Sequence, residues 1–145
     1  WGLLILFGGG LSLAAQISSS GLGIWIGNSL LILSTVPPIL LILAVATLII
    51  FLTEITSNVT TTTTFLPVFG ALAIAIGVLP VSLTVPVCLA ASCAFMLPVA
   101  TPPNAIVYGS NKFTIATMMR DGFALNIVGI LVVTIFAYYF APLIF

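Results

Sequence analysis

Charge is nearly missing from this chain: two basic and two acidic residues stand among 145, histidine is absent, and cysteine occurs twice. Two cations cannot track a phosphate backbone, which excludes nucleic-acid binding. Cys88 and Cys93 lie five apart in an apolar run, on different faces of a helix. That spacing, with no histidine, excludes a zinc site and a disulfide framework, and both are expected to be small buried hydrophobes. The chain also lacks the aspartate pair, zinc ligands or Ser/His constellation that intramembrane catalysis needs, so it is not expected to be an enzyme. No basic start precedes one short apolar stretch, as a secretory signal would require.

What is there is apolar. Hydrophobic residues make up 62% of the chain, charged residues 3%, and the mean hydropathy is +1.46, whereas about a quarter of a soluble domain is charged. The expectation is an all-α membrane protein embedded in the lipid bilayer. At roughly 20 residues per span, the length provides about four or five membrane segments. Trp1 is an unusual first residue, and the chain is expected to be part of a larger protein.

Residues 1–16 read as an apolar helix whose Gly8-Gly9-Gly10 lets a neighbouring helix approach closely. A Ser/Gly turn follows over 17–23, then a short interfacial helix over 24–34 with Trp25 as a headgroup-level anchor. Residues 36–52 are apolar and open on Pro37-Pro38, tolerated in a first helical turn. A helix over 60–77, kinked at Pro67, leads to a turn at Leu79-Pro80. An apolar run over 81–99, a brief continuation over 105–109, a polar loop over 110–121 and a final span over 122–141 complete the chain. No second domain or soluble linker is visible. Lys112, Arg120 and Asp121 fall in the 110–121 loop, and the excess of basic residues on cytoplasmic loops places it inside and the C-terminus outside.

Two polar breaks interrupt this pattern: Thr53-Glu54-Ile55-Thr56-Ser57-Asn58-Val59, followed by five threonines, and Ala100-Thr101-Pro102-Pro103-Asn104. Lipid tolerates broken backbone only where protein or a water-filled cavity satisfies it, so paired breaks point to a binding site. A broken helix exposes carbonyls at the end of its incoming half, which suit a cation, and N–H groups at the start of its outgoing half, which suit an anion. Ser57, Asn58 and Thr60 favour caps over helix interior. Pro102 and Pro103 remove two donors and disfavour helix at the residues before them, freeing carbonyls around Val99 to Thr101, with Asn104 capping the next segment. Carbonyl, hydroxyl and amide oxygens from two such breaks match the five or so hard ligands of sodium, by the reasoning that applies to calcium. Glu54, against the first break, is either functional or a hydrogen-bond partner holding the break together. For Thr61 to Thr64 the competing reading is a hydroxyl bond back to the preceding turn, and for Pro102-Pro103 an ordinary kink.

These residues carry a resemblance. The 53–59 segment, the stretch Ser-Cys-Ala-Phe-Met-Leu-Pro-Val-Ala-Thr-Pro-Pro-Asn-Ala-Ile-Val-Tyr-Gly-Ser over 92–110, and the opening Trp-Gly-Leu-Leu-Ile-Leu-Phe-Gly-Gly-Gly resemble the C-terminal part of the divalent anion:sodium symporter family, carriers of dicarboxylates, citrate or sulfate. The match extends over essentially the whole chain, which corresponds to the last third of a typical member. The resemblance implies a re-entrant helical hairpin over 36–79 with its tip at Ser57-Asn58-Val59, a discontinuous helix over 81–109, and a last helix over 122–141. It implies a sodium site from Thr53, Thr56, Asn58 and the Ala100 carbonyl, and a substrate site from Ser57, Asn58, Val59 and Thr101. The common family triplet is Ser-Asn-Thr; Val59 lacks that hydroxyl, which favours dicarboxylate or citrate over sulfate. The family further implies two inverted repeats, of which this chain is the C-terminal one, with sodium as coupling ion and an elevator motion against a homodimeric scaffold. A non-transport membrane subunit, or a channel whose broken helices line a pore, is the competing class.

Overall fold

The computed structural model describes residues 36–144, together with residues 8, 9, 12, 16, 19 and 20. Apart from those six residues, the helix expected over 1–16, the turn over 17–23 and the arm over 24–34 with Trp25 lie outside the described residues. The remainder is helical: α1 (Pro38–Thr53), α2 (Asn58–Ala75), α3 (Val81–Ala91), α4 (Pro102–Gly109), α5 (Ile115–Tyr139) and α6 (Ala141–Ile144).

α1 starts on Pro37 and Pro38, where missing amide protons cost nothing. It buries a stripe that repeats in pairs every four residues, from Leu41 and Ile42 through Val45 and Ala46 to Ile49 and Ile50, ending on Thr53. Its other face carries Leu40, Leu48 and Phe51, apolar as a lipid-facing surface must be. α2 begins at Asn58, two residues before the expected start, because the Ser57 hydroxyl accepts the Thr60 N–H at 3.1 Å and caps it. It runs without interruption through Pro67. It stops where Gly77 takes φ +77°: Gly77 N bonds to Ile74 O and Val78 N to Ala73 O, the paired closure of a Schellman motif.

Two boundaries differ from expectation. The apolar run over 81–99 is helical only to Ala91, so the second break opens at Ser92, well before Ala100. The cause is a side chain from far upstream: the Glu54 carboxylate accepts the N–H groups of Phe95, Met96 and Leu97. Those donors are withdrawn from any helical ladder. α5 begins at Ile115, not 122, because the Thr114 hydroxyl accepts the Thr117 N–H at 3.2 Å and starts a helix that carries Arg120 and Asp121 on its exposed side. The polar loop shrinks to a few residues around Asn111 and Lys112.

α1 packs against α3 and α5, α2 packs against α3, and α3 also meets α5. Ile49, Ile50, Leu83 and Val87 lie at the centre of this packing. Cys88 is exposed on α3 and Cys93 half-buried beyond its end, so burial was the wrong expectation for Cys88; its side of the helix faces outward with Leu89. Among the described residues, α2 and α5 are long and apolar enough to cross a membrane, while α1 and α3 are shorter apolar helices. At 1.5 Å per residue α1 reaches about 24 Å and α3 about 17 Å, less than the roughly 30 Å hydrocarbon core. Both end inside that depth if they enter from its surface, and their open ends are the two breaks. Lipid tails are as apolar as Leu, so contact between these helices rests on dispersion and on polar bonds rather than on a hydrophobic drive.

Candidate functional site

The two breaks meet. A cavity of about 540 Å³ is lined by Ser57, Asn58 and Val59 from the first break and by Ala100, Thr101 and Asn104, with Pro102 and Pro103, from the second. Ser92, Ala94 and Phe95 complete the wall. A second, smaller cavity of about 250 Å³ lies against Asn58, Val59, Thr62, Thr63 and Ser92. Asn58 and Val59 therefore stand between two spaces. No lysine or arginine lines either one.

At the first break, the Leu52 carbonyl accepts the N–H groups of Ile55 and Thr56 and the Thr56 hydroxyl at 2.9 Å. The Thr53 hydroxyl lies 2.9 Å from Asn58 Oδ1 and 3.0 Å from the Ala91 carbonyl. One hydroxyl proton serves two acceptors there, so three oxygens from α1, α2 and the end of α3 converge around a single hydrogen. That is a donor set of the kind hard cations use: neutral, oxygen-only and short of protons. The Thr56 hydroxyl is engaged elsewhere, 2.6 Å from Thr61 Oγ1. Ala100 is buried and shares the larger cavity with Asn58.

Ser57 caps α2 by taking the third N–H of its first turn. The N–H groups of Asn58 and Val59, the first two helical positions, have no acceptor within the helix and carry the positive end of its dipole. Both residues line the cavity with Ser57. Thr63 bonds back to the Val59 and Thr60 carbonyls at 2.8 and 3.2 Å, the local role weighed for the threonine run.

The second break is organised by side chains. Thr101 rather than Asn104 caps α4, accepting the Asn104 N–H at 3.4 Å. Asn104 already lies inside the helix, and its amide donates to the Ala94 carbonyl at 2.9 Å and the Leu97 carbonyl at 3.0 Å. Pro102 and Pro103 fill the first two helical positions, so this terminus offers fewer donors than that of α2. Sequence reasoning missed the Ala91 carbonyl beside Thr53, the back-bonding of Asn104, and Asn126, which donates to Glu54 at 2.7 Å. Asn126 had a signal, as a lone amide in the apolar run over 122–141; the Ala91 carbonyl had none.

The chain matches the profile of the sodium:sulfate symporter transmembrane region over residues 1–145. It is 48% identical over 142 residues to the sodium-dependent dicarboxylate transporter SdcS of Staphylococcus saprophyticus, an alignment covering 98% of this chain and 27% of that protein. It is 47% identical over 144 residues to the SdcS of Staphylococcus aureus strain MRSA252, covering 99% of this chain and 28% of the relative. The chain thus spans little more than a quarter of the length of these curated relatives. Apolar helices of which two are of membrane length, a cavity without lysine or arginine where the two breaks meet, and a match along the whole sequence lead to one conclusion: this chain belongs to the sodium:sulfate symporter family of membrane transporters, not to a family of enzymes.

Proposed function

We propose that the protein carrying this chain is a sodium-coupled secondary transporter of dicarboxylates, and that the cavity between the two breaks is this chain's half of its binding site. The observation that carries the reading is the placement of Ser57, Asn58, Val59 and Thr101 around one cavity, with Asn58 also joined to the Thr53 hydroxyl, which meets the Ala91 carbonyl. Sodium is a co-substrate here. Thr53, Asn58 and the Ala91 and Ala100 carbonyls hold it, with Thr56 contributing through its backbone.

Anion binding follows from what the cavity lacks. A dicarboxylate finds no fixed cation, only the Ser57 and Thr101 hydroxyls, the Asn58 side chain and the free N–H groups at the start of α2. Those dipoles orient a carboxylate but leave its charge uncompensated. A sodium ion held beside Asn58 supplies the missing charge, so each ligand raises the affinity of the other by the same factor, typically 5- to 150-fold. Val59 presents methyl groups where a threonine would offer a hydroxyl, which favours dicarboxylates over sulfate and leaves citrate as the larger alternative substrate.

The resemblance supports the remaining architecture. α1 and α2 form a re-entrant hairpin, and α3 and α4 are the halves of a discontinuous helix. The chain is the C-terminal inverted repeat in a multi-pass homodimer of the plasma or bacterial inner membrane. Its pocket moves as an elevator against the dimeric scaffold. Lys112 and Arg120, near the start of α5, put that end in the cytoplasm and the C-terminus outside.

Uptake of labelled succinate by the full-length protein in proteoliposomes tests the reading. Saturable uptake that stops when choline replaces sodium is expected. Uptake indifferent to that exchange would sink symport, and ion currents without saturable substrate flux would favour a channel.

A further inference from the structure

The transport reading uses neither Glu54 nor Asn126, yet both are among the most deeply buried polar residues described, 3% and 0% exposed. Four donors converge on the Glu54 carboxylate. Oε1 accepts from Phe95 N at 2.8 Å, Met96 N at 2.9 Å and Asn126 Nδ2 at 2.7 Å, and Oε2 from Leu97 N at 3.0 Å. An acceptor-only group facing four neutral donors is fully complementary. The orientation of the Asn126 amide is set by the same logic, since its carbonyl oxygen turned toward Glu54 would set two acceptors face to face. Its Oδ1 is left without a partner among the described residues, a cost borne for a bond to a carboxylate.

The turn held this way has its N–H groups on Glu54 and two of its carbonyls, those of Ala94 and Leu97, on the Asn104 amide. Two side chains thus replace the backbone ladder that a helix would have supplied. The turn also lies directly on α5 at Gly122, one helical turn before Asn126. A Cβ there would sit 2.3 Å from the Phe95 carbonyl oxygen and 2.6 Å from Met96 Cα.

We propose that Glu54, Gly122 and Asn126 form a positioning clamp, through which α5 and one buried carboxylate hold the 94–97 turn and the Asn104 side of the pocket in binding geometry. The inference rests on the transport reading above. Glu54 directly follows Thr53, so one helix end carries both the oxygen that faces the first break and the carboxylate that fixes the second. The clamp residues touch neither ion nor substrate; they act through the turn.

The test is Asn126→Leu in the full-length protein, which keeps the side-chain volume and removes the donor to Glu54. Sodium-driven succinate uptake is measured over a range of sodium and succinate concentrations. Asn126 reaches the pocket through Glu54 and the 94–97 turn, so a loosened turn is read in the half-saturating concentrations.

Both half-saturating concentrations are expected to rise about tenfold, the scale of one buried hydrogen bond, with a smaller change in maximal uptake. Wild-type half-saturation in an active variant overturns the clamp while leaving sodium-coupled uptake by the wild type intact. A wild type without sodium-dependent uptake overturns the transport reading beneath it. Should Asn126→Leu be inactive throughout, Asn126→Ala decides: the half-saturating sodium concentration is expected to rise about tenfold, and a wild-type value overturns the proposal.

Discussion

Replacing Gly122 by alanine adds one methyl group and removes nothing, which makes it the sharpest probe of how the second break is held. The added Cβ would stand 2.3 Å from the Phe95 carbonyl oxygen and 2.6 Å from both Phe95 C and Met96 Cα. Backbone must therefore give by about 1 Å to reach ordinary packing distances. If the turn retreats, its bonds to Glu54, now 2.8 to 3.0 Å, stretch beyond hydrogen-bonding range. If α5 retreats instead, the 2.7 Å Asn126 to Glu54 bond goes. Either way at least one bond to a buried carboxylate is lost, about 1.5–3 kcal/mol, on top of about 1–3 kcal/mol for overpacking. The expected cost is about 2.5–6 kcal/mol, read as a lowered thermal midpoint of the purified full-length protein. Uptake should fall to less than about a tenth of wild type. A Gly122→Ala protein with wild-type midpoint and sodium dependence would refute the close approach and the reasoning built on it.

Asn58→Ala removes an oxygen from the Thr53 cluster and a side chain from the cavity wall; sodium-dependent uptake should be abolished, and full transport would mean that the first break is only structural. Val59→Thr should change the ranking among succinate, citrate and sulfate in competition assays more than it changes sodium affinity, and an unaltered ranking would count against Val59 lining the pocket. Ser57→Ala deletes the cap of α2, worth about 1 kcal/mol, and should raise the succinate KM with a smaller effect on sodium half-saturation; equal shifts in both would point to general loosening of the helix start. Asn104→Leu keeps the volume but loses the bonds to the Ala94 and Leu97 carbonyls; the Leu97 carbonyl keeps the Ala100 N–H and the Ala94 carbonyl is left unpaired at about 1–3 kcal/mol, so the variant should lower thermal stability as well as substrate affinity.

The first break was legible because its reasons are local. Ser57 and Thr60 sit at cap spacing, and the cap forms between them. Pro102 and Pro103 likewise marked the start of α4 rather than a kink inside a longer helix. The extent of the second break was not legible, because Cys93, Ala94, Phe95, Met96 and Leu97 are apolar residues that carry no local signal to leave a helix. The signal is Glu54, whose partners Phe95 and Asn126 stand 41 and 72 residues further along the chain. Of the two readings weighed for Glu54, its bonds are those of the partner that holds the break together. The start of α5 was misplaced because Arg120 and Asp121 read as loop, although both face outward on a helix begun by Thr114. Gly122 then looked like a beginning, whereas it is a contact point.

The central claim is that sodium completes an anion pocket that has no cation of its own. Calorimetric titration of the purified full-length protein with succinate, with sodium present and with choline in its place, measures this directly. The account predicts succinate affinity higher in sodium by about 5- to 150-fold, and sodium affinity higher with succinate by the same factor. Equal succinate affinity in the two salts would contradict it.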